Sequence, residues 1–208
     1  MYVAPRFLPA DPDEPVHVIN RVRFGTLVTH TENGFDATPV PWVAERDGEN
    51  VVLWGHLAAA NSQLAEVRSR RDVLVTFTGV NGYISPGILP TPQSAPTWNY
   101  VAVHAYGDGS LLDASGTEYA VEKLVQAMEA GRRPAWTTAE MGPRREKLLG
   151  HVVGLQIVVN RIEAKFKLGQ NESDADLHAI IASLEAGGEY ELAADMRNAN
   201  AHRKSVLR

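Results

Sequence analysis

The sequence contains no cysteine among its 208 residues. This absence excludes disulfide bonds, thiolate metal sites, iron–sulfur clusters and cysteine nucleophiles, so packing alone must hold the fold together. No run of apolar residues is long enough to cross a bilayer. The first residues, MYVAPRFLPADPDEP, lack the basic segment followed by an apolar core that marks a secretory signal. We therefore expect a cytoplasmic protein that makes no membrane contact.

Acidic residues outnumber lysine and arginine by 25 to 20. The net charge is −5 at pH 7 and the isoelectric point is near 5.8, which argues against a surface that follows a phosphate backbone. Nucleic acid is therefore not expected as a partner. The 44% of apolar residues are enough to bury a core. We predict a barrel domain over residues 1–169 and a helical extension over 170–208.

Segments with a hydrophobic period of two dominate the first two thirds of the chain. They are rich in β-branched and aromatic residues, and Asn33-Gly34 and Asp47-Gly48 are typical of hairpin turns. About six or seven antiparallel strands are predicted, enough to close a barrel. The segments lie at residues 24–31, 34–45, 50–56, 72–79, 82–86, 98–113 and 154–169.

Helical periodicity predicts four helices, and the fold class is therefore mainly β with helices, α+β. Two helices are expected to pack on the sheet, over residues 58–68 and 117–130. Ser173 followed by Asp176 resembles a capping box at the start of a third helix. The apolar stripe of this helix ends at Gly187-Gly188. A fourth helix is predicted over residues 189–199. The stripe is formed by Leu177, Ile180, Ile181 and Leu184.

A proline-rich loop, SPGILPTPQSAPTWNY, joins two of the predicted strands over residues 85–100. Its prolines stiffen the backbone and remove hydrogen-bond donors. One interpretation is a rigid surface crossover. The other is a pocket wall, because the loop runs into a hydroxyl, an indole and an amide side by side. The prolines are Pro86, Pro90, Pro92 and Pro96, and the polar group is Thr97, Trp98 and Asn99.

Four motifs carry a family resemblance: TFTGVNGYISP, PTWNYVAVHAYG, GHLAAANSQ and RIEAKFKLGQNESDAD. Together they resemble the PaiB-type family of FMN-binding split-barrel proteins, over nearly the whole chain. The resemblance implies a split β-barrel with C-terminal helices. It also implies a homodimer with cofactor sites between its subunits.

The family has two chemically different branches. Most members are described as flavin-binding proteins or negative transcriptional regulators, whereas piperazate synthases use the scaffold to bind heme b and form a nitrogen–nitrogen bond. Many flavin-type members carry an aromatic pair after Ser85-Pro86, a lysine before the Pro-Thr-Trp-Asn block and an arginine at the helix start. This chain has Gly87-Ile88-Leu89, Ala95 and Ala59 there. The loop is therefore more similar to that of piperazate synthases.

The distribution of charge favours the same branch. No lysine or arginine occurs from Asp72 to Glu122 or between His56 and Arg68. An FMN phosphate near these segments would need helix N–H groups or distant cations. Heme propionates would also lack cationic partners in these segments, but they can point to solvent or to cations such as Arg21 and Arg23. Heme b is the expected cofactor, and FMN is the alternative.

His56 is the predicted axial ligand of the heme iron. Strand alternation places Val52, Trp54 and His56 on one face, and the small residues from Ala58 to Ala60 leave room for a broad flat ligand. Without cysteine, heme iron needs histidine, methionine or tyrosine. His56 corresponds to the axial histidine of piperazate synthases. Flavin-type relatives often carry this histidine as well, so the residue alone does not choose between the cofactors.

The resemblance implies conversion of N5-hydroxy-L-ornithine to L-piperazic acid. The α-amine attacks N5 and the hydroxyl departs as water, which requires a polarised hydroxylamine, a proton donor and a base. A hydroxylated diamino acid is therefore the expected small-molecule substrate, and an FMN-dependent oxidoreductase or a regulator is the alternative. The catalytic candidates are His104, Tyr83, Thr97 and Asn99, and the cofactor-binding candidates are His56, Trp54, Ala59, Asn61, Trp98 and Lys167.

Overall fold

A computed structural model describes residues 1–32, 34–91 and 94–203. Within them the helices are α1 (Glu14–Val22), α2 (Gln63–Ser69), α3 (Ala114–Glu129), α4 (Arg145–Leu149), α5 (Asp174–Ala186) and α6 (Tyr190–Ala199). The strands are β1 (Phe24–Thr31), β2 (Gly34–Pro41), β3 (Val43–Asp47), β4 (Asn50–Ala58), β5 (Asp72–Ile84), β6 (Thr97–Leu111) and β7 (Val152–Lys167). Three 3-10 helices cover Pro5–Phe7, Pro86–Ile88 and Thr138–Arg144. Asn33, Pro92 and residues 204–208, which belong to predicted features, lie outside the described residues.

The seven strands form one sheet in the order β2-β1-β5-β6-β7-β4-β3. Its two edge strands, β2 and β3, are consecutive in the chain and are joined by Trp42 alone. Flat, the sheet would separate these edges by about 29 Å, at about 4.8 Å for each strand, whereas a one-residue link spans about 7 Å. The sheet must therefore curl until its edges approach, and β2 does contact β4. The predicted barrel and the α+β class are confirmed.

The chain divides into two compact units. The barrel unit comprises Pro15–Phe77 and His104–Glu163, and the helical unit comprises Met1–Glu14, Thr78–Val103 and the described residues from Ala164 onward. Strands β5, β6 and β7 contribute residues to both units. The domain boundary at residue 169 stays a prediction.

Trp42 lies at the centre of the barrel unit. Its side chain is fully buried, its indole Nε1 donates a hydrogen bond to the Gly25 carbonyl at 3.4 Å, and its ring packs against Gly55. A Cβ atom added to Gly55 would lie 2.7 Å from the Trp42 ring. The close approach therefore requires glycine at this position of β4. The other large, fully buried side chains of this unit are Ile19, Leu27, Leu53, Phe77, Leu155 and Ile157.

The core of the helical unit includes α5 and α6. The predicted apolar stripe of α5 is confirmed, since all four of its residues are buried, and the helix ends at Ala186 just before the predicted glycines. Leu192, Ala193 and Met196 supply the buried side of α6. The two helices pack on each other.

Ser173 is also confirmed as the capping residue of α5. The difference from the prediction is that the Asp176 side chain also binds Thr91 of the proline-rich loop. The Ser173 hydroxyl accepts a hydrogen bond from the Asp176 N–H at 3.1 Å, as predicted. The Asp176 carboxylate accepts from the Ser173 hydroxyl at 2.7 Å, from the Thr91 hydroxyl at 2.7 Å and from the Thr91 N–H at 3.1 Å. These bonds from Thr91 and Ser173 lower the pKa of Asp176. Asp176 thereby fastens the proline-rich loop to the start of α5.

Several element boundaries differ from the prediction. The helix expected over 58–68 begins only at Gln63, because Ala58 still pairs with Val152 in the sheet and a turn follows. The segment 82–86 is mostly the end of β5 rather than a separate strand. Helices α1 and α4 were not predicted, because α1 has nine residues and α4 five, too few for a clear helical period. In the described part of the chain, no helix combines the length and apolar character needed to span a membrane.

Replacing Asp176 with asparagine should lower the melting temperature most at neutral pH. The pKa of this carboxyl group is lowered in the folded protein, so its stabilisation is fully present above the unfolded value of about 3.9 and is lost as the pH falls through the folded value. Thermal unfolding at pH 7 and at successively lower pH should show the difference between wild type and D176N shrinking with acidity. D108N, at an exposed position of β6, is the control. An equal effect of D176N at every pH would contradict this account.

Replacing Gly55 with alanine should destabilise the protein by about 1–3 kcal/mol, because the added methyl group overlaps the Trp42 ring in a packed core. Chemical denaturation measures the change. G150A is the matched control, since a Cβ at Gly150 lies no closer than 3.5 Å to its neighbours. A G55A protein as stable as wild type would show that Trp42 is not held by close packing on β4.

Candidate functional site

The predicted site residues are distributed over both units. Trp54 and His56 on β4, Ala59 and Asn61 in the turn after it, and His104 on β6 belong to the barrel unit. Tyr83 at the end of β5, the β6 residues Thr97, Trp98 and Asn99, and Lys167 at the end of β7 belong to the helical unit. Each group is described by itself.

Strand β4 presents Trp54 and His56 on one face, as predicted. Leu53, Gly55 and Leu57 point to the core and are buried, whereas Trp54 and His56 are half-buried on the opposite face. His56 pairs with Gly154 of β7. A Cβ atom at Gly154 would lie 2.7 Å from the Cα atom of Thr117, so helix α3 approaches the sheet closely beside His56. The helix therefore covers part of the face on which a flat ligand was expected.

The His56 imidazole has no hydrogen-bond partner among the described residues. Its Nδ1 atom is buried and unpartnered. Burial lowers the pKa of His56 below its ordinary value of 6.5, so the ring is neutral at pH 7. A neutral imidazole with uncommitted ring nitrogens is the form that binds a metal. The chemistry of this side chain thus fits an axial ligand.

Trp54, like His56, has a buried nitrogen without a hydrogen-bond partner from the residues that the structure describes. Its Nε1 atom is buried and lacks an acceptor within the described part of the chain. Its indole packs nearly perpendicular to the Tyr119 ring of α3, with ring centres 5.1 Å apart and planes at 79°. An indole N–H can only donate, so this donor is left without an acceptor among the described residues. Two unsatisfied polar atoms therefore occur on one face of β4.

His104 lies on the outward face of β6, between the buried residues Val103 and Ala105. Its Nδ1 atom is also buried and unpartnered among residues that the structure describes. Burial lowers the pKa of His104, and this effect outweighs the opposing attraction of the Glu163 carboxylate. Its ring meets that of Tyr106 at 6.4 Å. A neutral imidazole of this kind can accept a proton at pH 7.

Lys167 holds the Pro-Thr-Trp-Asn segment in place. Its ammonium group donates to the Trp98 carbonyl at 2.7 Å and to the Thr97 hydroxyl. Burial lowers its pKa, although the Glu172 carboxylate opposes this shift. Two of its three donors are therefore engaged within the protein, and its predicted contact with a cofactor stays a prediction. Lys165, two residues earlier, lies 5.4 Å from the centre of the Tyr100 ring.

The helical unit exposes an aromatic pair. Tyr83 and Trp98 are 53% and 49% exposed, and their ring centres lie 6.0 Å apart. The Trp98 indole donates to the Asn81 side-chain oxygen at 3.2 Å, which fixes its orientation. Asn99, by contrast, is only 2% exposed and its amide contacts the Met196 sulfur at 3.6 Å. Tyr83 and Trp98 can thus meet a ligand, whereas Asn99 packs inside its unit.

Asn61 and Gln63 organise the turn after β4. The Asn61 side chain donates to the Thr38 hydroxyl at 3.2 Å and accepts from the Gln63 N–H at 2.8 Å. The Gln63 amide is fully buried and donates to the Leu27 carbonyl, the Thr29 hydroxyl and the Asp36 carbonyl. Ala59 beside them is exposed. Gln63 was not singled out from the sequence, because a glutamine in a helical segment is ordinarily solvated.

Comparisons with known proteins place the chain in a family. A family model described as "Putative FMN-binding domain" matches residues 1–161. The "Protease synthase and sporulation protein PAI 2" of Bacillus subtilis (strain 168) is 30% identical over 186 residues, which are 89% of each chain. This relative confirms the PaiB-type resemblance.

Solved structures share the fold at low sequence identity. The flavocytochrome Anf3 from Azotobacter vinelandii superposes with a TM-score of 0.60 at 14% identity, over 77% of this chain and 69% of that one. The FAD and heme binding protein from Mycobacterium smegmatis gives 0.59 at 15% identity, over 82% and 78% of the two chains. These likenesses establish the split-barrel fold. On the match of the family model over residues 1–161, the chain belongs to the family described as "Putative FMN-binding domain".

Proposed function

We propose that this protein binds heme b with His56 as the axial ligand and forms a nitrogen–nitrogen bond within a hydroxylated diamino acid. The observation that carries the proposal is the His56 imidazole, which is neutral and has no partner among the described residues. Heme needs only one protein ligand, and no three His, Asp or Glu side chains gather into a metal-binding cluster within residues 1–32, 34–91 and 94–203. Two solved proteins of similar fold are named a flavocytochrome and a FAD and heme binding protein. These names support the proposal because they indicate that proteins of this fold can hold heme.

In this reaction the nitrogen–nitrogen bond forms while a nitrogen–oxygen bond breaks. The α-amine of an N5-hydroxylated substrate attacks N5, and the hydroxyl leaves as water, so no external oxidant or reductant is needed. Bound heme would supply a Lewis acid that polarises the hydroxylamine. His104, held neutral by burial, is the proposed acceptor of the proton from the attacking amine. Substrate contacts by Tyr83, Thr97 and Asn99, and a cofactor contact by Trp98, stay predictions.

FMN is the second candidate, and the family description favours it. In that case the protein would be a PaiB-like flavoprotein. An isoalloxazine ring needs no axial ligand, so His56 would contact it only through packing or a hydrogen bond. The two candidates therefore differ in how strongly cofactor affinity depends on the imidazole.

Replacing His56 with alanine should weaken hemin binding at least tenfold, because the iron loses its protein ligand; tenfold corresponds to about 1.4 kcal/mol. Titration of purified protein with hemin, followed by the Soret band, measures the affinity. H178A, at an exposed histidine of α5, is the matched control and should bind as wild type does. Incubation of the hemin-loaded protein with N5-hydroxy-L-ornithine should then yield a product lighter by one water in mass spectrometry. Equal hemin affinity in H56A, or uptake of FMN without uptake of hemin, would overturn the proposal.

Hemin affinity should stay constant from pH 8 to about 6.5 and decrease only at lower pH. Only the neutral imidazole binds iron, and burial moves the pKa of His56 below its ordinary value of 6.5. Proton binding therefore competes with iron only at acidities where an exposed histidine is already charged. The same titration, repeated at several pH values, tests this. Affinity that declines steeply between pH 8 and 7 would identify a different ligand.

A further inference from the structure

Arg23 carries two local energetic costs at the junction between α1 and β1. Its backbone adopts φ = 58°, the left-handed region, and it is the only non-glycine residue with positive φ among those described. Its guanidinium Nη1 atom is buried and unpartnered in the same part of the chain. Both costs occur at one residue.

The backbone cost follows from how α1 ends. The Arg23 N–H donates to the Ile19 carbonyl at 2.7 Å, which closes the last turn of α1, and the Arg23 carbonyl accepts from the Trp42 N–H at 2.6 Å. The left-handed conformation therefore serves the chain reversal. Glycine adopts it without strain, whereas other residues lose roughly 1 kcal/mol or more. The reversal explains the conformation, but it does not explain why an arginine occupies it.

The second cost arises from the Arg23 side chain. Arginine is always charged, and a buried guanidinium N–H without an acceptor loses its hydration without compensation. The arginine itself is half-buried. No aspartate or glutamate in residues 1–32, 34–91 and 94–203 forms an ion pair with it. One nitrogen of the guanidinium, Nη1, thus lacks a hydrogen-bond acceptor among the described residues.

We propose that Arg23 is an anion-binding residue and that its missing partner is a small oxyanion, a phosphate or carboxylate group. Such groups match the planar guanidinium in shape and charge and form its strongest hydrogen bonds. The anion binds to the barrel unit at this junction. This inference does not rest on the proposed heme chemistry, since free phosphate, an FMN phosphate and a heme propionate all carry the required oxygens.

Inorganic phosphate is the probe for the site itself. Thermal unfolding of the full chain in increasing phosphate, with ionic strength held constant by sodium chloride, should show a saturable rise in melting temperature. R23Q should reduce the apparent affinity for phosphate at least tenfold. R21Q is the matched control, because it removes the same charge two residues earlier at an exposed position of α1, and its response should equal that of wild type. A wild-type protein without a saturable response, or an R23Q protein that responds as wild type does, would overturn the proposal.

A second variant separates binding from folding. R23G removes both costs, so it should melt at a higher temperature than wild type in phosphate-free buffer and should lose the phosphate response. If R23G instead melts below wild type in that buffer and keeps the response, Arg23 is a structural residue and the proposal fails.

The source of the oxyanion is identified by paired ligands. FMN is compared with riboflavin, which lacks the phosphate, and hemin with its dimethyl ester, which lacks free propionates. If R23Q weakens binding of only the charged member of a pair, the site holds that cofactor's anionic group. If R23Q alters only the phosphate response, the site takes a separate oxyanion. Either result supports the proposal, and failure of hemin binding alone contradicts only the proposed heme function.

Discussion

The barrel depends on a one-residue link between its two edge strands. Trp42 joins β2 to β3, and the sheet can accommodate so short a connection only by curling. The same residue fills the interior: its indole is fully buried, packs on Gly55 and donates to the Gly25 carbonyl. Its backbone N–H donates to Arg23. Closure, core packing and the end of α1 are thus coupled through one residue.

This coupling also determines what β4 presents on its other face. Because Gly55 must lie against Trp42, its neighbours Trp54 and His56 are directed away from the core. Helix α3 packs on that face and excludes water from the buried indole and imidazole nitrogens. No described residue forms a hydrogen bond with these nitrogens. Desolvation of this kind keeps His56 neutral. The packing that stabilises the barrel therefore also leaves the His56 imidazole neutral, with its Nδ1 atom unpartnered among the described residues.

Much of the site could be predicted from the sequence. The features that could not be predicted were missed for a physical reason. Alternation along β4 predicted the shared face of Trp54 and His56, and the strand period is independent of the rest of the fold. The role of Lys167 could not be predicted. Its hydrogen bonds to Thr97 and the Trp98 carbonyl join residues 69 or 70 positions apart, and no local pattern encodes such a contact. The same holds for the burial of Asn99 against Met196.

The strand-rich barrel, the cap and apolar stripe of α5, and the family could all be predicted from the sequence, because local periodicity, turn chemistry and contiguous motifs carry this information. Which buried polar atoms of the described residues lack a partner depends on the tertiary structure, and these atoms are Arg23 Nη1, Trp54 Nε1, His56 Nδ1, Gln63 Oε1 and His104 Nδ1. Whether a polar atom finds a partner depends on what distant segments bring to it. Burial and hydrogen bonding are therefore properties of the folded chain, and the chemistry of the site depends on them.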